Sequence, residues 1–207
     1  WDYNISQRYY KLSIKSWKYL YAYCKLLKIH KTLWEYQQFN LLYTEIEDVL
    51  NNNNIWDHNL IRANIYYEKW LYKVALEEYK IYLKIRKKDT YTINAIGNCY
   101  YQLWKIFHAE KHFKQALEYN NKLYYSYNSL AKCCLESGNI SQAISFCKQS
   151  ISLNNHNFTA YFLLGKCYYR NKDFQTALKY YNKAYSYNPH HQMCNRYILK
   201  LKKLWEI

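Results

Sequence analysis

Small and aromatic residues recur at a constant interval in the later part of the chain. One 34-residue step separates Ala109, Ala143 and Ala177, and the same step separates Tyr127 from Tyr161. Between these positions the apolar residues follow the spacing of amphipathic helices, and no segment alternates polar and apolar residues over the length of a strand. The pattern predicts an all-α fold with one pair of helices in each period.

Residues 158–191 show the period most completely. The residues that carry it are Tyr161, Leu164, Gly165, Tyr168, Ala177, Tyr181, Ala184 and Pro189. Their order resembles that of the tetratricopeptide repeat (TPR), W-x2-L-G-x2-Y followed by Ala, an aromatic residue and Pro. Pro189, the single proline of the chain, lies at the position that closes the repeat. The resemblance implies an all-α, right-handed superhelical solenoid of antiparallel helix pairs.

The three glycines of the chain fit the same register. Gly97 and Gly165 fall where two helices must pack closely, and a residue without a Cβ allows that approach. Gly138 falls in the turn between two helices, where a positive φ is needed at the end of the first helix. We therefore expect all three glycines to serve the packing of the repeats.

The register divides the chain into successive segments. We expect four TPR repeats within residues 56–191, the first of them weak, with bounds at 56–89, 90–123, 124–157 and 158–191. Residues 1–55 have helical apolar spacing without the full register, so we expect degenerate helical pairs there, with diverged repeats as an open alternative. Residues 192–207 are expected to form either a C-terminal capping helix or the start of a truncated repeat.

The formal net charge of +15 suggests nucleic acid as a partner. Lysine rather than arginine supplies most of that charge, however, whereas phosphate recognition favours the planar guanidinium group. Lys, Asn, Tyr and Ile all have A+T-rich codons, so we attribute the charge to an A+T-rich genome, as in some protists. An RNA-binding helical repeat is the alternative, since aromatic residues interleaved with lysine could stack on bases.

No pattern in the sequence indicates an enzyme, a cofactor or a metal centre. A glycine-rich phosphate loop is missing, and the histidines lack metalloprotease spacing. His108 and His112 are expected to share a helix face, but no third metal ligand accompanies them. The cysteines at one repeat slot, Cys99 among them, are expected to be buried and reduced, which favours the cytoplasm or the nucleus. No apolar run is long enough to cross a membrane.

Candidate binding residues follow from the resemblance, because the first helices of TPR pairs line a groove that holds ligands. The groove positions are Asn94, Asn98, Tyr101, Asn128, Lys132, Leu135, Phe162, Lys166, Tyr169 and Arg170. Within this set, Asn98, Lys132 and Lys166 form a polar row, and Tyr101, Leu135 and Tyr169 form an apolar row. Rows of this kind suit an extended peptide, whose backbone and side chains meet donors and rings in turn.

The function that follows is a non-catalytic scaffold that holds a peptide or helix of a partner protein in a multiprotein complex. Residues 97–189 are similar to the TPR subunits of the anaphase-promoting complex, in G-N-C-Y, L-L-G-K-C-Y-Y and A-Y-S-Y-N-P. That resemblance implies a ubiquitin-ligase subunit of the cell cycle whose groove binds tails of other subunits. A subunit of a transcription-elongation complex, or an RNA-processing factor, is the alternative. The carboxylate clamp of chaperone-binding TPRs is not matched, because Asn94 stands where a lysine is expected.

Overall fold

The computed structural model describes residues 58–203, and the secondary structure in that range is entirely α-helical. The chain consists of two compact units, and the boundary between them lies between Lys87 and Lys88. The helical pairs predicted for residues 1–55 lie outside the described range, as do the last four residues. The helices are α1 (His58–Glu68), α2 (Tyr72–Ile85), α3 (Thr90–Gln102), α4 (Ile106–Tyr119), α5 (Tyr124–Glu136), α6 (Ile140–Leu153), α7 (Phe158–Arg170), α8 (Phe174–Tyr187) and α9 (Gln192–Lys203).

The described part of the first unit is one helix pair, α1 and α2. Ala63 of α1 and Ala75 and Tyr79 of α2 are buried between the two helices. The Tyr79 hydroxyl donates a hydrogen bond of 2.6 Å to Asn64 Oδ1. A helix pair therefore occupies the segment in which the sequence predicts the weak first repeat.

The second unit contains three more helix pairs, α3 with α4, α5 with α6, and α7 with α8, followed by α9. The first helix of each pair also contacts the first helix of the neighbouring pair, so that α5 touches both α3 and α7. We call α3, α5 and α7 the A helices, and α4, α6 and α8 the B helices. The predicted all-α solenoid of successive helix pairs is confirmed.

Within each pair, the residue sizes at two facing positions are complementary. The facing pairs are Gly97 with Phe113, Ala131 with Cys147, and Gly165 with Tyr181. A Cβ built on either glycine would lie 2.6 Å from the nearest ring carbon, well inside the roughly 3.5–4.0 Å of an ordinary carbon contact. In the second unit, glycine therefore makes room for the ring at both positions, and alanine fits where the B helix carries the smaller cysteine. The equivalent positions of the first unit, Ala63 and Tyr79, combine alanine with a ring.

The turn inside each pair has one residue in the left-handed conformation. Gly138 has φ +79° in the middle pair, and the equivalent residues are Trp104 with φ 59° and Lys172 with φ 62°. Glycine adopts this conformation at little cost, whereas a side chain with a Cβ is strained there. The predicted role of Gly138 is confirmed, and the same turn recurs at three bulkier residues, Trp104, Lys172 and, in the first unit, Trp70 with φ 63°.

Helix α9 has the register of an A helix. It begins one repeat period after α7 begins, and the two helices start with equivalent hydrogen bonds. The backbone N of Cys194 donates to His191 Nδ1 at 3.1 Å, as that of Ala160 donates to Asn157 Oδ1 at 3.2 Å. The buried side of α9, which packs with residues of α8, consists of Cys194, Ile198 and Leu201.

The cysteines of the described range are free thiols in the helix interfaces. They are Cys99, Cys133, Cys134, Cys147, Cys167 and Cys194, and all are buried. Burial raises the pKa of the Cys99 thiol to about 12 and, together with the charge of Glu110, that of Cys133 to about 12. These two thiols stay protonated at neutral pH and act as small apolar residues.

Among residues 58–203, no helix is long and apolar enough to cross a membrane. In the same range, no three side chains of His, Cys, Asp or Glu are grouped so that they could hold a metal ion. His108 and His112 do share a face of α4. Both rings lie 5.3 Å from the ring of Tyr100, between centroids, so the pair belongs to the packing between α3 and α4.

Candidate functional site

The candidate site is the face formed by the A helices, where the repeat period places equivalent residues side by side. Four rows cross this face from α3 through α5 to α7. The first row is Asn94, Asn128 and Phe162, the second is Asn98, Lys132 and Lys166, the third is Tyr101, Leu135 and Tyr169, and the fourth is Gln102, Glu136 and Arg170. The rows differ in how much side chain they leave accessible.

The asparagines of the first row join the helices to one another. Asn94 is 7% exposed, and its Oδ1 accepts a hydrogen bond of 2.9 Å from Ser126 Oγ on α5. Asn128 is also buried, and its amide exchanges two hydrogen bonds of 3.2 and 3.3 Å with that of Asn157, which caps α7. Asn157 Nδ2 also donates to Ser150 Oγ at 2.7 Å. Much of the hydrogen-bonding capacity of these amides is therefore used inside the protein.

The third row is not a continuous apolar surface. Leu135 is 1% exposed and belongs to the core between α5, α6 and α7. Tyr101 and Tyr169, at equivalent positions, are only half-buried. The expectation that Leu135 offers an apolar contact in the groove is thus corrected, because the shorter branched side chain packs into the core instead of extending over it.

The fourth row is linked to Tyr101 by a chain of polar contacts across three helices. The Tyr101 hydroxyl donates to Glu136 Oε1 at 3.5 Å, and Arg170 Nη2 lies 3.9 Å from Glu136 Oε2. Arg170 Nη1 also donates to the carbonyl oxygen of Leu135. Desolvation and the charge of Glu136 raise the pKa of Tyr101 to about 12. The predicted binding residues Tyr101 and Arg170 are therefore brought together through Glu136.

The aromatic residues of the predicted site on α7 contact helix α9. The rings of Phe162 and Tyr169 lie 6.2 and 5.4 Å from that of Tyr197 on α9, between centroids. The ring of Tyr197 is also stacked on that of Tyr181 at 4.9 Å. Lys200 Nζ lies 5.4 Å from the centroid of the Tyr169 ring, a cation–π distance. Phe162 and Tyr169 thus have part of their ring surface covered by the last helix.

The second row keeps polar groups at the surface. Asn98, Lys132 and Lys166 are half-buried, one on each A helix. The pKa of Lys132 is lowered, first by desolvation and then by the positive charge of Lys166. The two ammonium groups are therefore close enough to repel each other, and a bound anion would relieve that repulsion.

Three further residues belong to the same face and were missed by the sequence argument. Tyr91, which is 51% exposed, and Tyr125 lie in the first turns of α3 and α5, at equivalent positions. Lys200 lies one period after Lys166, in the row of the two lysines. The repeat period was the signal that could have identified them, since each is separated from a neighbouring repeat's residue by one step.

Comparisons with known proteins agree with the geometry of the helix pairs. Family models described as tetratricopeptide repeat match residues 124–157 and residues 158–191. Residues 124–191 are therefore two tetratricopeptide repeats. Both matches cover a helix pair together with its closing turn, and they have the bounds of the last two repeats predicted from the sequence.

Solved TPR structures share the fold at low sequence identity. The crystal structure of MamA is 20% identical, with a TM-score of 0.59, covering 68% of this chain and 82% of that chain. The structure of YrrB, described as a TPR protein with an unusual peptide-binding site, is 18% identical, with a TM-score of 0.58, covering 87% and 90%. The first TPR of Spaghetti (RPAP3), bound to the HSP90 peptide SRMEEVD, is 16% identical, with a TM-score of 0.54, covering 57% and 94%. No curated protein sequence matches the chain.

Proposed function

We propose that this TPR chain is a non-catalytic scaffold whose A helices bind an extended peptide segment of a partner protein within a multiprotein assembly. The second row carries the proposal. Asn98, Lys132 and Lys166 present a polar group from each successive A helix, at equivalent positions and with part of each side chain accessible. A regular row of donors is what an extended backbone and its side chains can meet.

The residues beside that row suit the same ligand. Tyr91 and Tyr101 lie near the two ends of α3 and keep part of each ring accessible, so they offer contact area to side chains of the peptide. The peptide-binding site named for YrrB and the HSP90 peptide bound to the Spaghetti TPR support this class of partner by analogy of fold. We infer from the buried free cysteines that the scaffold works in a reducing compartment, the cytoplasm or the nucleus.

The proposal is restricted to peptide binding. A role as a subunit of the anaphase-promoting ubiquitin ligase rests on the sequence motifs alone. The RNA alternative predicts that single-stranded RNA, rather than peptide, occupies the A-helix face. The experiment that tests peptide binding therefore also tests RNA binding.

The test uses the full chain and peptides selected for binding to it. A library of random 12-residue peptides is displayed on phage and selected against the protein, and the selected peptides are synthesised with a fluorescent label. Fluorescence anisotropy then compares the protein with Asn98→Ala and with Asn182→Ala, the latter an exposed asparagine on α8 as a matched control. Loss of one or two peptide hydrogen bonds should weaken binding roughly 3- to 30-fold in Asn98→Ala only.

Two results would overturn the proposal. One is that no selected peptide binds, or that both asparagine variants bind it equally well. The other is that a labelled 12-nucleotide oligouridylate binds more tightly than any peptide and displaces it, with the steep salt dependence of phosphate contacts. Circular dichroism of both variants shows that a change in affinity does not come from lost helix.

A further inference from the structure

The A helices carry few charged residues, and the basic ones outnumber the acidic one. The charged residues of α3, α5 and α7 are Lys132, Glu136, Lys166 and Arg170. Glu136 and Arg170 face each other at 3.9 Å and neutralise one another. Lys132 on α5 and Lys166 on α7 therefore have no carboxylate on the A helices as a partner.

The two remaining lysines are held in a setting that favours an anion. Each is half-buried on the A-helix face, and no ion pair joins either one to a described residue. Burial removes water from the Lys132 ammonium group, and the positive charge of Lys166 repels it. Both effects lower the pKa of Lys132. A carboxylate between the two ammonium groups would reverse the second effect.

A third lysine continues the row on α9. Lys200 lies one period after Lys166, on the helix that shares the register of α7. It is exposed, and its ammonium group lies 5.4 Å from the centroid of the Tyr169 ring. The contact with Tyr169 holds Lys200 beside the A-helix face, where the exposed lysine can meet a ligand.

We propose that Lys132, Lys166 and Lys200, the lysine row, bind the carboxylates of an acidic segment in the extended peptide, so that the partner is a protein with a run of Asp or Glu residues. This inference rests on the proposed peptide-binding function and names the chemistry of its ligand. Carboxylates about three residues apart would each meet one ammonium group through a charge-assisted hydrogen bond, because packed helices lie roughly 8–10 Å apart and an extended peptide advances about 3.3 Å per residue.

The same observations argue for a peptide over a nucleic acid. Strong binding to a phosphate backbone uses many cationic contacts, and arginine is the preferred residue for them. On the A helices the single arginine is engaged with Glu136, and that carboxylate would repel phosphates passing beside it. A short acidic peptide needs only the few contacts that the lysine row provides.

The experiment uses a pair of labelled probes and a pair of matched variants. The probes are a 12-residue peptide with Glu at every third position in a Ser/Thr/Ala/Leu background, and the same peptide with Gln in place of Glu. The double variant Lys132→Gln/Lys166→Gln is compared with Lys148→Gln/Lys179→Gln, which removes two exposed lysines from the B helices and changes the net charge equally. Lys200→Gln is measured as a separate variant.

The proposal predicts that the Glu probe binds at least roughly 10-fold more tightly than the Gln probe at low salt, and that added salt reduces the difference. The double variant of the lysine row should lose roughly 10- to 100-fold in affinity for the Glu probe. Lys200→Gln should lose a smaller factor, and the B-helix control should change little, because its lysines lie off the A-helix face.

The outcomes separate this inference from the function on which it rests. Equal affinity for the Glu and Gln probes, with Asn98→Ala still weakening both, would overturn the acidic preference and leave the peptide-binding function standing. Equal losses in the two double variants would also overturn it, because they would show a general charge effect. Unchanged binding in Lys200→Gln would remove that residue from the row. If no selected peptide binds the A-helix face at all, both proposals are wrong.

Discussion

Replacing Gly165 by alanine should destabilise the protein, although the same change in most helices is stabilising. An exposed helical glycine costs roughly 1 kcal/mol relative to alanine, so removing it normally increases stability. At Gly165 the new methyl group would lie 2.6 Å from two ring carbons of Tyr181. That is an overlap of about 1 Å relative to an ordinary contact between carbon atoms.

The ring of Tyr181 has little freedom to move away. It is fully buried and is stacked on the ring of Tyr197 at 4.9 Å between centroids. Overpacking of this kind costs about 1–3 kcal/mol, and we take the upper end because the ring is confined on both sides. After subtracting the gain in helix propensity, the expected net loss for Gly165→Ala is about 2 kcal/mol.

Urea unfolding followed by circular dichroism measures this change, and a double-mutant cycle shows its cause. In a Tyr181→Cys background the A and B helices carry the small pair found at Ala131 and Cys147, so Gly165→Ala should there gain about 1 kcal/mol. The coupling energy between the two sites is then about 3 kcal/mol, beyond the usual error of additivity. A stabilising Gly165→Ala in the natural sequence, or the same effect in both backgrounds, would refute the steric argument.

Two further measurements test individual buried groups. Tyr181→Phe should raise stability by about 1 kcal/mol, because the described residues give its buried hydroxyl no hydrogen-bond partner, whereas Tyr79→Phe, whose hydroxyl does donate a hydrogen bond, should lower it. The opposite order in urea unfolding would contradict both assignments. Lys132→Met should be more stable than the natural protein at neutral pH, and the gap should narrow as pH rises. The folded-state pKa of Lys132 lies below the ordinary value of 10.5, so at pH values between the two the unfolded chain binds more protons and stability increases with pH. The exposed Lys148→Met is the control, and an equal, pH-independent effect in both variants would exclude a desolvated charge at Lys132.

The sequence was sufficient to predict the helix pairs, because each repeat is stabilised by its nearest neighbours. The same slots must then be filled in every repeat, and the constant period exposes them. Gly165 facing a ring and Gly138 in a left-handed turn follow from this register alone. Both concern short-range packing that recurs in every pair.

The register predicted the residues of the candidate site less accurately than it predicted the helix pairs, as Leu135 shows. A slot defines the direction in which a side chain leaves its helix, but the size of that side chain and of its neighbours decides whether it lies in the core or at the surface. Leu135 packs into the core at 1% exposure, while the tyrosines of the same slot keep part of each ring accessible. Asn94 and Asn128, also predicted for the groove, instead hydrogen-bond across helix interfaces.

The sequence by itself determined the period, the helix pairs and the row that holds Asn98, Lys132 and Lys166. Only the tertiary structure decided which charges on the A helices are left without an ion-pair partner from those helices. Glu136 and Arg170 occupy the same slot in successive repeats, and nothing in their spacing requires an ion pair, which forms because α5 and α7 pack side by side. The energy of an interaction between charges depends on the distance between them and on how far they are desolvated. Both are determined only when the helices pack together.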